Sequence, residues 1–78
     1  MKEYEALNMT VGQRIKALRK MKQMTQGELA KASKVDRSYI SNVENGRRNA
    51  SMTFLYRVCR TLDVTLRDFF ADDTFSSL

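Results

Sequence analysis

The chain predicts an all-α domain of five helices, and three observations carry that expectation. Apolar residues recur at three- and four-residue intervals in successive segments, and residues suited to capping stand where those segments begin. No proline and no convincing strand alternation interrupts the pattern.

The first helix opens at Thr10 in "TVGQRIKALRKMK", where Val11, Ile15 and Leu18 share a side and Thr10 with Gln13 holds capping-box positions. Its remaining surface, with Arg14, Lys16, Arg19, Lys20 and Lys22, reads as a solvated basic face. The second starts at "TQGE": the Thr25 hydroxyl can accept from the Glu28 N–H while the Glu28 carboxylate reaches back to the Thr25 N–H. It runs to about Ser33, with Leu29 and the small Ala30 facing inward. Asp36 suits the N-cap of a third helix, both as a hydrogen-bond acceptor and as a negative charge at the positive end of the dipole. Gly46 suits its C′ position, because glycine enters the left-handed region at little steric cost. Ser51 caps a fourth helix that turns Leu55, Val58, Cys59 and Leu62 inward, and Thr65 caps a brief fifth, "LRDFF". Residues 1–9 are expected as an N-terminal extension, 10–70 as the folded domain and 71–78 as an acidic tail free to fray.

With 78 residues the chain makes one domain at most and buries about 60% of its unfolded surface, so its core is small. A hydrophobic fraction of 42% beside 29% charged residues fits a globular domain. Histidine is absent and Cys59 stands alone, which closes a Cys/His zinc site and an intrachain disulfide; no metal or cofactor is expected. Cys59 itself, inside an apolar helical pattern, reads as a small buried hydrophobe. No apolar run reaches membrane-spanning length and "MKEYEALNM" lacks the apolar stretch of a secretion signal, so a soluble, cytoplasmic chain is expected. There is no nucleophile–histidine pair, no glycine-rich phosphate loop and no paired carboxylates outside the helix caps and the tail, so no enzyme is expected.

The formal charge of +5 is unevenly spread: between residues 10 and 60 twelve Lys/Arg face three Asp/Glu, while both ends are net acidic. A polyanion is the simplest partner for such a middle. On the third helix Arg37, Ser38, Ser41 and Asn42 share one face, and Ile40 and Val43 lie on another. A lipid-facing stripe would need large apolar groups where this one has serines and asparagine, which argues against a peripheral membrane role.

Helices two and three, separated by "SKVD", form a helix-turn-helix in which Leu29, Ala30, Val35, Ile40 and Val43 are the packing positions, and all five are apolar. With those residues in place, "TQGELAKASKVDRSYISNVENG" resembles the lambda-repressor-like, Cro/cI-type (Xre) family of DNA-binding domains. The likeness continues through "RRNASMTFLYRVCRTLDVTLRDFF" and covers roughly residues 10 to 70. "VDRSYIS" followed by "RRNAS" is most similar to the controller proteins of bacterial restriction-modification systems. The resemblance implies a compact five-helix bundle, dimeric binding to partly palindromic operators, and regulation of transcription. It departs at Lys34, where many members carry glycine. Lysine in a left-handed backbone costs about 1 kcal/mol relative to glycine, which favours a different path for the turn.

Residue types then suggest roles on double-stranded DNA. Arg37 can give two hydrogen bonds to the O6 and N7 of guanine, Asn42 can pair with adenine, and Ser38 and Ser41 can reach bases or phosphates. Tyr39 borders both faces, able to pack its ring and offer its hydroxyl to a phosphate. Thr25 and Gln26 open the second helix, whose free N–H groups favour phosphate, and Arg47, Arg48 and Asn49 follow the third as clamps on neighbouring phosphates or base edges. Glu44 is out of place near phosphates, and the resemblance suggests a structural role, paired with a basic residue such as Arg14. Phe54, Leu66, Phe69, Phe70 and Phe75 exceed the needs of a small core. Leu66 and Phe69 are assigned to the core, while Phe54, Phe70 and Phe75 are expected at a homodimer interface that sets two reading helices about 34 Å apart. The alternative is an antitoxin-like protein-binding module, in which those apolar residues hold a second protein rather than a second copy.

Overall fold

The computed structural model describes residues 4–78. Five helices follow in order: α1 (Glu5–Met21), α2 (Gln26–Ser33), α3 (Arg37–Glu44), α4 (Met52–Thr61) and α5 (Leu66–Phe70), then a 3-10 turn at Asp73–Phe75. No strand occurs among the described residues, and none of the helices is long and apolar enough to cross a membrane. α3 packs on both α1 and α2, and α2 packs in turn on α4. Ile15, Leu29, Ile40, Val58, Leu62 and Phe69 are fully buried where these elements meet.

α1 starts at Glu5, so the expected extension over residues 1–9 is helical for most of its length, and its first three positions lie outside the described residues. Thr10 is no cap: its hydroxyl donates to the Ala6 carbonyl at 2.8 Å, one turn back inside the helix. The preceding "EAL" consists of good helix formers, and Leu7 continues the apolar stripe of Val11 and Ile15 by one turn.

α1, α2 and α4 all end the same way. Gln23, Lys34 and Asp63 take left-handed φ values of 57°, 61° and 58°. The next N–H, of Met24, Val35 and Val64, bonds back to the carbonyl five residues earlier. Met24 and Val64 then precede the N-caps Thr25 and Thr65, and Val35 precedes Asp36. Lys34 therefore keeps the left-handed turn that its side chain disfavours, rather than finding another path, because the Val35 bond and the packing of Val35 on the core hold it there. Lys34→Gly is accordingly expected to raise unfolding free energy by up to about 1 kcal/mol, read as a higher denaturant midpoint at unchanged slope. A lower midpoint would show that the lysine contributes something the backbone strain does not reveal.

The C-terminal aromatics divide differently from expectation. Phe54 is 3% exposed and stands edge-on to Tyr39 with ring centroids 4.7 Å apart, so it belongs to the core and has no surface to give a dimer. Phe70 is exposed. Phe75 is half-buried, with its ring 5.0 Å from Phe70 and 5.8 Å from Phe69. The start of the tail is tied back to α1. Arg14 donates to the Phe69 and Asp68 carbonyls at 2.9 and 3.1 Å, where a cation suits the C-terminal end of α5, and it pairs with Asp72 at 3.4 Å. The Asp72 carboxylate accepts from the Thr74 hydroxyl and N–H, and these bonds, with the Arg14 charge, hold it below the usual carboxylate range.

Candidate nucleic-acid interface

The helix that carries the outward polar stripe, α3, is held from behind. Ile40 and Val43 are buried, and Glu44 is only 5% exposed. The Glu44 carboxylate accepts two parallel bonds from Arg19, Nε to Oε2 at 2.7 Å and Nη2 to Oε1 at 3.0 Å. Arg19 spends a further N–H on the Met24 carbonyl at 2.8 Å, at the turn before α2. The expected pairing of Glu44 with Arg14 is thus corrected. Arg14 and Arg19 stand about 140° apart around α1, so only Arg19 faces α3 while Arg14 faces α5. The hydrogen bond to Glu44, and then the attraction of its charge, outweigh burial and raise the Arg19 pKa above that of a free guanidinium.

α2 enters through the expected reciprocal cap. Thr25 Oγ1 accepts from the Glu28 N–H at 3.0 Å and Glu28 Oε1 accepts from the Thr25 N–H at 2.8 Å, which keeps the Glu28 carboxyl below its ordinary range. Gln26, expected at the DNA backbone, turns part of its amide inward: Nε2 donates to Glu44 Oε1 at 3.1 Å. Gly27 places α2 beside the polar stripe of α3, since a Cβ built there would lie 4.0 Å from Arg37 Cδ. Asp36 occupies the N-cap of α3 with extended backbone, yet its side chain makes no capping bond, contrary to expectation. The Tyr39 and Ile40 N–H groups reach the Asp36 carbonyl instead, at 3.0 and 3.4 Å.

On the outward side, Arg37 and Ser38 are exposed and Ser41 and Asn42 half-buried, and none of the four side chains has a hydrogen-bond partner within the described residues. Gly46, at φ 75°, ends α3, and Arg47, Arg48 and Asn49 follow it on the surface. The Arg48 guanidinium lies 5.2 Å above the Tyr39 ring. The Tyr39 hydroxyl, expected to face a phosphate, is occupied by its own chain. Gln13, expected in a capping box with Thr10, and Lys16, read in the sequence as solvation, flank the C-terminal end of α3 with Glu44 and Asn45 around a shallow groove of about 200 Å³. Their place four and seven residues after Met9, which touches Gly46, is the signal that could have found them.

A second surface lies away from this stripe. Tyr4, Leu7, Met52 and Phe70 are exposed around an apolar groove of about 280 Å³ whose floor includes Val11, Ala50 and Leu55.

Comparison with known proteins agrees with this architecture. The family profile described as Helix-turn-helix matches residues 15–69. The immunity repressor protein of Bacillus phage phi105 is 39% identical over 66 residues, a stretch covering 85% of this chain and 46% of the repressor. The chain therefore spans less than half of that relative's length. Among solved structures, the restriction-modification controller protein C.AhdI from Aeromonas hydrophila superposes with a TM-score of 0.79 at 38% identity, over 83% of this chain and 98% of that one. The controller protein C.Esp1396I, solved as a tetramer in complex with its natural 35 base-pair operator, gives 0.76 at 39% identity over 82% and 84%. With the cap, the turn, the packed pair of helices and these matches together, the chain belongs to the helix-turn-helix family of lambda-repressor-like, Cro/cI (Xre) type.

Proposed function

We propose that this chain binds double-stranded DNA sequence-specifically, as a homodimer on a partly palindromic operator, and so regulates transcription. The observation that carries the reading is the stripe of Arg37, Ser38, Ser41 and Asn42, outward and without internal partners on a helix whose opposite side is buried and ion-paired. An α-helix so presented fits the major groove, where arginine and asparagine read base edges. Thr25 and Gln26 at the start of α2, and Arg47, Arg48 and Asn49 beyond α3, stand on either side as phosphate contacts, in a segment carrying most of the positive charge. That a controller protein of similar structure was solved on its operator supports the same partner here. The dimer is assigned to the apolar surface around Phe70, with Phe75 packed behind it. Phe70 stands beside the groove, so one face offers both a projection and a recess, as a two-fold contact requires.

Selection of bound duplexes from a random pool tests this reading. The expected result is a palindromic consensus with half-sites about ten base pairs apart. Enrichment of no sequence would overturn it. Arg37→Ala is expected to cost about 1–3 kcal/mol of operator binding and relax preference at one base pair, whereas Arg47→Ala weakens all sequences alike. Equal losses on operator and random DNA for Arg37→Ala would remove that residue from base reading.

A further inference from the structure

Among the described residues, 48–50 make no backbone–backbone hydrogen bond: the last such bond before them is from the Arg47 N–H, and the next is to the Ser51 carbonyl. The segment is nonetheless held, by Ala50 packing on the core and by hydrogen bonds from one side chain of α3. The Tyr39 hydroxyl donates to the Asn49 carbonyl at 3.1 Å and accepts from the Ser51 N–H at 3.3 Å. Its ring carries the Arg48 guanidinium on one face and meets Phe54 edge-on at the core. Ser51 in turn caps α4, accepting from the Phe54 N–H at 3.1 Å, so Tyr39 holds the chain on both sides of Ala50, where it enters the α4 cap.

We propose that Tyr39 is a positioning residue that clips residues 48–51 to α3, setting Arg48 and Asn49 beside the reading stripe before DNA arrives. This rests on the DNA-binding reading but assigns Tyr39 a different task from a base or phosphate contact. With its hydroxyl committed to two backbone groups, the side chain acts through the segment it holds. Pre-ordering of that kind lowers the entropy lost when the clamp engages, and therefore raises affinity without reading sequence.

Tyr39→Phe removes both hydrogen bonds and keeps the ring. It is expected to weaken binding to operator and random duplex by the same factor, roughly threefold to tenfold, the worth of one or two net hydrogen bonds. In an Arg48→Ala/Asn49→Ala background the same change should cost little further, because the groups it positions are gone. The Ser51 amide should exchange with solvent at least about fivefold faster in Tyr39→Phe while unfolding stays cooperative. A full loss persisting in the double-alanine background would mean that the hydroxyl touches DNA itself, and a loss confined to one base pair would mean that it reads bases. Either result, or unchanged Ser51 exchange, overturns the clip. Absence of any duplex affinity in the wild-type chain would sink the DNA-binding reading, a different result, and the Ser51 exchange rate decides the clip independently of it.

Discussion

Gly12→Ala is expected to destabilise the domain by about 3 kcal/mol or more, a large share of what so small a fold has to lose. In the interior of an exposed helix the same change would stabilise, since alanine is favoured over glycine by about 1 kcal/mol. At this position the sign reverses. α1 crosses α3 at Gly12, and a Cβ built there would overlap the Val43 carbonyl oxygen and come within 3.0 Å of the Glu44 carbonyl oxygen. Both are backbone atoms in the last turn of α3, so no rotamer change relieves the contact and the helices must separate. Gly27→Ala is the control. Its Cβ would meet Thr25 Oγ1 at 3.8 Å, an ordinary contact, and its stability should stay level or rise slightly. Urea unfolding of the two variants measures the difference. A Gly12→Ala protein as stable as wild type would mean that the two helices are not pressed together as described.

The close approach at Gly12 marks the boundary of what the sequence discloses. Capping chemistry is local, so the Thr25–Glu28 box, the Ser51 and Thr65 caps and the glycine at the end of α3 were all legible from neighbouring residues. Periodicity is local too, which is why the stripe from Arg37 to Asn42 and the apolar side behind it could be read directly. The structural role of Glu44 is legible in the sequence, but its partner is not. Choosing Arg19 over Arg14 requires knowing which side of α1 meets α3, and Gly12 settles that, because it lies seven residues before Arg19 and so on the same face. The burial of Phe54 is hidden for a related reason: it depends on Tyr39, fifteen positions earlier and on another helix. The contacts of the tail are likewise not legible locally, because the groups that make them, Arg14 and the Phe69 and Phe70 rings, gather only once α1 and α5 have packed.

Arg19→Ala is expected to cost about 3–5 kcal/mol, because it leaves the Glu44 carboxylate buried with only the Gln26 amide to answer it. Arg19→Lys should recover little of this, since an ammonium cannot serve both carboxylate oxygens and the Met24 carbonyl in the fixed geometry of the guanidinium fork. Arg14→Ala should cost clearly less, because it leaves no buried charge unpaired: it frees the exposed Asp68 carbonyl and the part-buried Phe69 carbonyl, both neutral acceptors. The pKa of Arg19 is raised by folding, so the contribution of its charge is fully present below the ordinary guanidinium value and is lost only as pH rises through the higher, folded value. The ranking of the variants should therefore hold across neutral and moderately alkaline pH. Replacing both partners with apolar residues, as in Arg19→Met/Glu44→Leu, separates the worth of the pair from the penalty of an orphaned charge. That protein should regain most of the lost stability, because no buried charge is left unpaired. Its effect on DNA should differ from its effect on folding: the Gln26 amide loses its acceptor at the start of α2, so binding to all duplexes should weaken even where the fold is restored. Urea midpoints and duplex affinities measured on the same five proteins decide the matter. If Arg14→Ala proved as damaging as Arg19→Ala, or if the doubly apolar variant stayed as unstable as Arg19→Ala, the buried pair would not be what holds α3 against α1.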